Sequence, residues 1–118
     1  MKRAKMSTIK VIDYTRNPGA RYISDGLYSG EEYFNLVLNV SFEMAVAKKE
    51  RLIVDLDGTS GYASSFLSEA FGLLAERYGV EKVLKNIELI SNEEPDWKIA
   101  ILKNYIPNAT KRKKKSGT

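Results

Sequence analysis

Residues 51–79, RLIVDLDGTSGYASSFLSEAFGLLAERYG, carry the pattern from which the rest of the fold follows. They begin with a compact apolar run, residues 51–57, which is typical of a central strand covered by helices. Small and polar residues at 58–63 then predict a turn. From Ser64 onward, apolar side chains recur at helical spacing as far as Gly79, a residue that commonly ends helices. The stretch therefore predicts a strand, a turn and a helix in succession.

Strand patterns also occur on both sides of this unit. Residues 8–14 (TIKVIDY) alternate apolar and polar side chains, and residues 86–91 (NIELIS) form a second short apolar run. Residues 17–19 (NPG) have the composition of a turn, so residues 21–24 are expected to form a short hairpin strand after it.

Helix signals separate these strands. Ser29 and Glu32 have the spacing of a capping box, in which each side chain accepts a hydrogen bond from the other residue's N–H group. An apolar stripe is expected to follow on one helix face: Tyr33, Val37, Val40, Met44 and Ala47. Pro95 suits the first turn of a last helix. The order of elements predicts a single α/β domain with a mixed, mostly parallel sheet packed with helices.

Charge is distributed unevenly along the 118 residues. The chain has 19 Lys plus Arg against 15 Asp plus Glu, a formal net charge of +4. Eight of the cations lie at the two ends, so the remaining 11 face all 15 anions and the body carries about −4. We expect a basic N-terminal segment at 1–7, the domain at 8–109 and a disordered basic tail at 110–118.

The chain contains no Cys and no His. A disulfide framework, a thiolate zinc site and a thiol nucleophile are therefore excluded, and so is a Ser-His-Asp hydrolase. No apolar run approaches the roughly 20 residues that span a bilayer. These features predict a cytoplasmic protein that is not an enzyme and needs no metal or cofactor.

One motif suggests an enzyme nevertheless. The sequence D-x-D-G-T at 55–59 resembles the first motif of the haloacid-dehalogenase-like phosphatases, which would make Asp55 the nucleophile, Asp57 the acid/base and Ser91 a phosphate-binding residue. Only 59 residues follow Thr59, and Asp96 is the only Asp beyond Asp57, which is too little for that family's core and magnesium site. The alternative is that the two carboxylates begin a solvated turn.

Residues from about 9 to 106 resemble the STAS-like domain family, a bacterial group mostly without assigned function. The resemblance is carried by IKVIDYTRNPGARY, SGEEYF, NIELIS and, most specifically, by GYASSFLSEAFG at 61–72. The family is similar to the STAS domains of anti-sigma-factor antagonists, in which a Ser of a D-S-S-G motif at a helix start is phosphorylated. The kinase that phosphorylates this Ser is also the binding partner.

That resemblance implies a regulatory domain that binds another protein, with a GHKL-type ATPase/kinase as the partner. Ser64 and Ser65 are the candidate phosphorylation sites, and either is expected to be the helix N-cap. Ala63 replaces the antagonists' Asp and Phe66 their Gly, which predicts a bulkier and less acidic surface. Phe66 is also expected to be core, whereas Tyr62 suits either core or interface. The expected contact residues are Asp57, Gly61, Tyr62, Ser64, Ser65 and Glu69.

The basic tail supports a different class of function. Five consecutive cations, Lys111, Arg112, Lys113, Lys114 and Lys115, could bind nucleic acid or an anionic membrane surface by counterion release. The alternative is an end that only improves solubility. The sequence leaves the oligomeric state open.

Overall fold

The computed structural model describes residues 6–109. The basic residues of the two ends, including the predicted disordered tail and its five cations, lie outside this range. None of the helices in the described range has the length and apolar character needed to cross a bilayer.

Three parallel strands form the sheet, in the order β1-β2-β3: β1 at Met6–Lys10, β2 at Arg51–Asp55 and β3 at Ile87–Ile90. In this register Ile9 lies beside Val54, and Val54 lies beside Leu89. Val54 and Leu89 are buried, whereas their sequence neighbours are partly exposed, so one face of the sheet carries the core. The predicted α/β class, with residues 51–57 supplying the central strand, is confirmed.

Within residues 6–109, four helices complete the domain. Helix α1 spans 30–47 and consists of Gly30–Tyr33, a π-helical segment at Phe34–Leu38, and Asn39–Ala47. Helix α2 spans Ser64–Tyr78 and α3 spans Val80–Asn86. Helix α4 spans 95–105 and consists of Pro95–Ala100 followed by a π-helical segment at Ile101–Tyr105.

The predicted hairpin strand at 21–24 is wrong. This segment instead contains a 3-10 turn at Ile23–Asp25. A carboxylate oxygen of Asp25 accepts the N–H of Tyr22 at 3.1 Å, and Glu31 accepts the N–H of Ile23 at 2.9 Å. These side chains occupy the donors that a strand ladder would need. Strand β1 also ends earlier than predicted, at Lys10, where a 3-10 turn begins.

The capping box at the start of α1 forms only in part. Ser29 Oγ accepts the N–H of Glu32 at 2.9 Å, as the sequence predicts. The Glu32 carboxylate instead accepts a hydrogen bond from the hydroxyl of Tyr14. The first turn of α1 is thereby tied to the segment that follows β1.

The predicted apolar stripe on α1 is wrong beyond Val37. Tyr33 is fully buried, but Val40 and Met44 are 46% and 52% exposed, and the buried residues beyond Val37 are Leu38, Phe42 and Ala45. A π-helical turn holds more residues than an α-helical one, so the segment at Phe34–Leu38 shifts the face that later residues present. The core therefore receives a different set of side chains from the one a regular period predicts.

The start of α1 packs directly on the backbone of α2. Gly30 is buried there, and a methyl group built on it would overlap the carbonyl oxygen of Phe66. The same group would lie 3.2 Å from the amide nitrogen of Ala70. Only glycine permits so close an approach of the two helices.

A chain of aromatic rings runs through the core from the loop before α1 to α4. Successive centroids lie 4.5–6.1 Å apart, within the range of favourable aromatic pairing, in the order Tyr28, Tyr14, Tyr33, Phe66, Tyr62 and Trp97. The hydroxyl of Tyr33 is buried and has no hydrogen-bond partner among residues 6–109. Burial is also the main reason why the pKa of Tyr33 is raised above its ordinary value.

Gly30→Ala tests the helix contact. We expect the free energy of unfolding to fall by about 3 kcal/mol, because the added methyl group forces the two helices apart. Urea titration followed by circular dichroism measures the change. Gly19→Ala is the matched control, since a Cβ at Gly19 would lie 3.9 Å from the carbonyl oxygen of Asn17, an ordinary van der Waals distance. Equal stabilities of the two variants would contradict the close contact.

Tyr33→Phe tests the isolated hydroxyl. Removing a buried donor without a partner is expected to leave stability unchanged or raise it by about 1 kcal/mol. Tyr14→Phe, which removes the hydrogen bond to Glu32, should lower stability instead. Thermal unfolding of both variants measures the difference, and a less stable Tyr33→Phe protein would show that the hydroxyl has a partner.

Candidate functional site

The turn between β2 and α2 lies at the carboxyl end of the sheet, where parallel α/β domains usually place their functional loops. The loop after β1 approaches it closely, because a Cβ on Gly58 would lie 3.5 Å from the Ile12 side chain. The loops that follow all three strands meet here.

Asp57 binds this turn to the loop after β3. Its carboxylate accepts the N–H of Asn92 at 3.2 Å and that of Glu93 at 2.9 Å. In return, the N–H of Gly58 donates to the Glu93 carboxylate at 2.9 Å. Asp57 thus acts as an acceptor for backbone amides and holds two loops together.

The other residues of the phosphatase interpretation also have local partners. Asp55 accepts the N–H of Asp57 at 3.0 Å, and the Ser91 hydroxyl donates to the carbonyl of Glu94 at 2.5 Å. Within residues 6–109 no group of three or more acidic side chains is placed to hold a metal ion. The structure gives these side chains a role in shaping the loops, and the phosphatase interpretation stays an untested alternative.

The segment after β1 holds the turn from the other side. Five hydrogen bonds join it to the turn and to α2. Ser60 N–H donates to Arg16 O at 2.8 Å, and Ser60 Oγ lies 3.0 Å from Arg16 O and 2.7 Å from Asn17 Oδ1. Ala63 N–H donates to Pro18 O at 3.1 Å, and Ser65 Oγ donates to Gly19 O at 3.4 Å. The turn is therefore held by hydrogen bonds at both flanks.

Tyr62 anchors the turn from within. Its hydroxyl donates to the carbonyl of Leu56 at 2.8 Å. Its half-buried ring packs edge to face with the Trp97 ring, and the two ring centroids lie 4.5 Å apart. Burial raises the pKa of Tyr62, so the hydroxyl remains a neutral donor. Phe66 is fully buried beside it, as the sequence predicts. The larger side chain at this position therefore adds bulk to the core and not to the surface.

Neither serine is the N-cap of α2, which corrects the expectation from the sequence. Ala63 occupies that position in an extended conformation, and its carbonyl accepts the N–H of Phe66 at 3.0 Å. Ser64 is the first helical residue and is exposed, and no hydrogen bond to its side chain is found among the described residues. Ser65 is half-buried, and its hydroxyl bonds to Gly19.

The remaining predicted contact residues divide between surface and interior. Gly61 has a φ of +135°, and a Cβ built on it would meet no atom within 4 Å, so this point of the turn is open. Glu69 is only 4% exposed and lies 3.5 Å from the guanidinium of Arg21. The structure thus brings Gly61 and Ser64 to the surface, and it places Glu69 beneath a cation.

Sequence reasoning missed the loop that supplies this cation. Tyr22 and Ile23 follow Arg21 and are 45% and 52% exposed, although both are large and apolar. The hairpin strand expected at residues 21–24 gives no reason to predict that both side chains are exposed. The available signal was the position of this segment between the turn at 17–19 and the capping residue Ser29.

Asp57→Asn tests the role of Asp57. An amide offers one acceptor where the carboxylate offers two, so we expect a loss of about 1–2 kcal/mol in the free energy of unfolding. Asp13→Asn removes the same charge from an exposed side chain for which no hydrogen bond is found in the described range, and it should change stability little. Urea unfolding at neutral pH compares the two. Equal losses would assign the effect to charge alone.

The chain resembles one known protein family over the elements that form this site. Residues 39–97 match the family described as STAS-like domain of unknown function (DUF4325). The matched range is half of the chain, and it includes the second half of α1, the central strand, the turn and all of α2 and β3. Neither the curated proteins nor the solved structures contain a match. The chain belongs to the family of STAS-like domains of unknown function.

Proposed function

We propose that this chain is a non-enzymatic regulatory domain that binds another protein through the surface at the start of α2. Ser64 is its switchable residue, and a GHKL-type ATPase/kinase is its partner. The observation that carries the proposal is the state of Ser64, which is exposed and not engaged by the described residues at the first position of a 15-residue helix. The resemblance to anti-sigma-factor antagonists supports the choice of partner.

The rigidity of the turn supports a role in recognition. Asp57 holds it on one flank and Ser60 on the other, while Tyr62 ties it to the end of β2. A surface already in its bound conformation loses little entropy on association. A partner would therefore meet Gly61 and Ser64 in fixed positions.

Exposed apolar side chains beside the turn provide the area that an interface needs. Tyr22 and Ile23 follow Arg21, which contacts Glu69 in the second turn of α2. Aromatic and arginine side chains are frequent anchors at protein interfaces. We therefore add Arg21, Tyr22 and Ile23 to the contact surface.

Phosphorylation would act on this surface through charge. A phosphate adds about −1.5 to −2 charge at neutral pH, and the N-terminal end of a helix stabilises an anion. The same charge would repel an acidic partner surface and would cost desolvation in an apolar one. Ser64 is favoured over Ser65 because the Ser65 hydroxyl already bonds to Gly19 and is half-buried.

Ser64→Asp and Ser64→Ala test the switch. We expect Ser64→Ala to bind the partner as the wild type does and Ser64→Asp to bind at least about tenfold more weakly, a difference of 1.4 kcal/mol. Isothermal titration calorimetry with purified GHKL-type kinases from the same genome measures both. Asn104→Asp is the control, since it adds the same charge at an exposed position on α4. Unchanged binding of Ser64→Asp, or an equal loss in Asn104→Asp, would refute the switch.

A further inference from the structure

Helix α1 has an apolar stripe that the other residues of the 6–109 range leave exposed. Leu36, Val40 and Met44 are 63%, 46% and 52% exposed and follow one another at intervals of four residues. Residues this far apart lie on one side of a helix. The core takes other residues of α1, among them Leu38 and Phe42, which are fully buried. The stripe is thus a second apolar face on the same helix.

Opposite charges stand at the two ends of this stripe. Glu32 precedes Leu36 by four residues, and Lys48 follows Met44 by four. Lys48 is exposed and Glu32 is partly exposed. The Glu32 carboxylate accepts the Tyr14 hydroxyl through one oxygen, and its second oxygen can face a cation of another copy. At 1.5 Å per residue the charges are separated by about 24 Å along the helix. When a second copy of this helix lies antiparallel to the first, the acid of each copy is opposite the base of the other, and the apolar residues are opposite one another.

We propose that the α1 stripe, residues 32, 36, 40, 44 and 48, is the interface through which two copies of this chain form a symmetric dimer. The two α1 helices lie antiparallel, and the two-fold axis passes beside Val40. Each Leu36 then meets the partner's Met44, and each Glu32 meets the partner's Lys48. Isologous contact of this kind closes after two copies.

The charges at the two ends of the stripe favour a second copy of the chain as the partner, and they favour an antiparallel arrangement of the two helices. A parallel arrangement would place Glu32 against Glu32 and Lys48 against Lys48, whereas the antiparallel one pairs unlike charges at both ends. The helix dipoles also oppose each other favourably in this arrangement. A second copy supplies this complementary pattern without any further assumption about a partner.

The contact extends toward β1. Val37, half-buried next to the stripe, lines a groove of about 290 Å³ together with Ile9 and Tyr14. Side chains from the second copy can fill this groove at the margin of the helix pair. The stripe includes neither Ser64 nor another residue of α2, so the dimer does not depend on the proposed switch.

A single cysteine tests the two-fold axis. The chain has no cysteine of its own, so Val40→Cys introduces one thiol per copy. We expect mild oxidation to convert this variant almost completely into a disulfide-linked dimer, because the two thiols face each other across the axis. Ile99→Cys, at a residue 48% exposed on α4, is the matched control and should remain largely monomeric. Equal cross-linking of the two variants would overturn the proposal.

Sedimentation equilibrium tests the interface without a cross-link. We expect the wild type to be a dimer in the micromolar range and Val40→Lys to be a monomer, since two ammonium groups would meet at the axis. Lys48→Glu should raise the dissociation constant about tenfold or more. Ile99→Lys is the control for surface charge, and circular dichroism verifies that each variant is folded.

A wild-type protein that remains monomeric at micromolar concentrations would overturn the dimer. A wild-type monomer that binds an extended peptide at the α1 stripe would overturn it as well. A dimer that persists in folded Val40→Lys shows that another surface is used.

Discussion

The contact of Gly30 with the backbone of Phe66 is the constraint on which the rest of the structure depends. It brings the start of α1 against the first turns of α2, and only a residue without a side chain allows it. Tyr33, one turn further along α1, can then pack on the Phe66 ring, which continues to Tyr62 and Trp97. A contact between two backbones thus sets the position of the aromatic core and of the turn above it.

The turn shows how this core supports a surface. Tyr62 holds it from below, while hydrogen bonds from the neighbouring loops hold its flanks, with Asp57 and Ser60 at their centres. Ser64 is the first residue of the helix that follows. Its side chain is exposed and makes no hydrogen bond to another residue in the 6–109 range. The polar side chains around Ser64 therefore shape the turn, whereas the Ser64 side chain makes no hydrogen bond within residues 6–109, and the proposed switch rests on this difference.

Much of the fold could be predicted from the sequence, because strong local patterns determine it. The apolar run at 51–57, the helix from Ser64 to Gly79 and the Ser29 cap are local signals, and tertiary packing did not override them. The π-helical segment in α1 could not be predicted, since hydrophobic spacing assumes a regular period. The conformation of residues 21–24 could not be predicted either. Its backbone N–H groups donate to the side chains of Asp25 and Glu31, and a pattern of strand residues does not reveal such contacts. For the candidate site, the sequence predicted the turn between β2 and α2, but it could not separate exposed Ser64 from half-buried Ser65 or buried Glu69.

The central claim is that Ser64, and not its neighbour, is the regulated residue of a preformed surface. The most direct test is to incubate the intact protein with ATP and the GHKL-type kinase that binds it, and to locate the phosphate by mass spectrometry of its peptides. The account predicts phosphate on Ser64 and none on Ser65, because Ser65 is half-buried and its hydroxyl lies 3.4 Å from the Gly19 carbonyl, whereas Ser64 is exposed. Phosphate on Ser65 alone, or on neither serine when the kinase binds and is active, would contradict it.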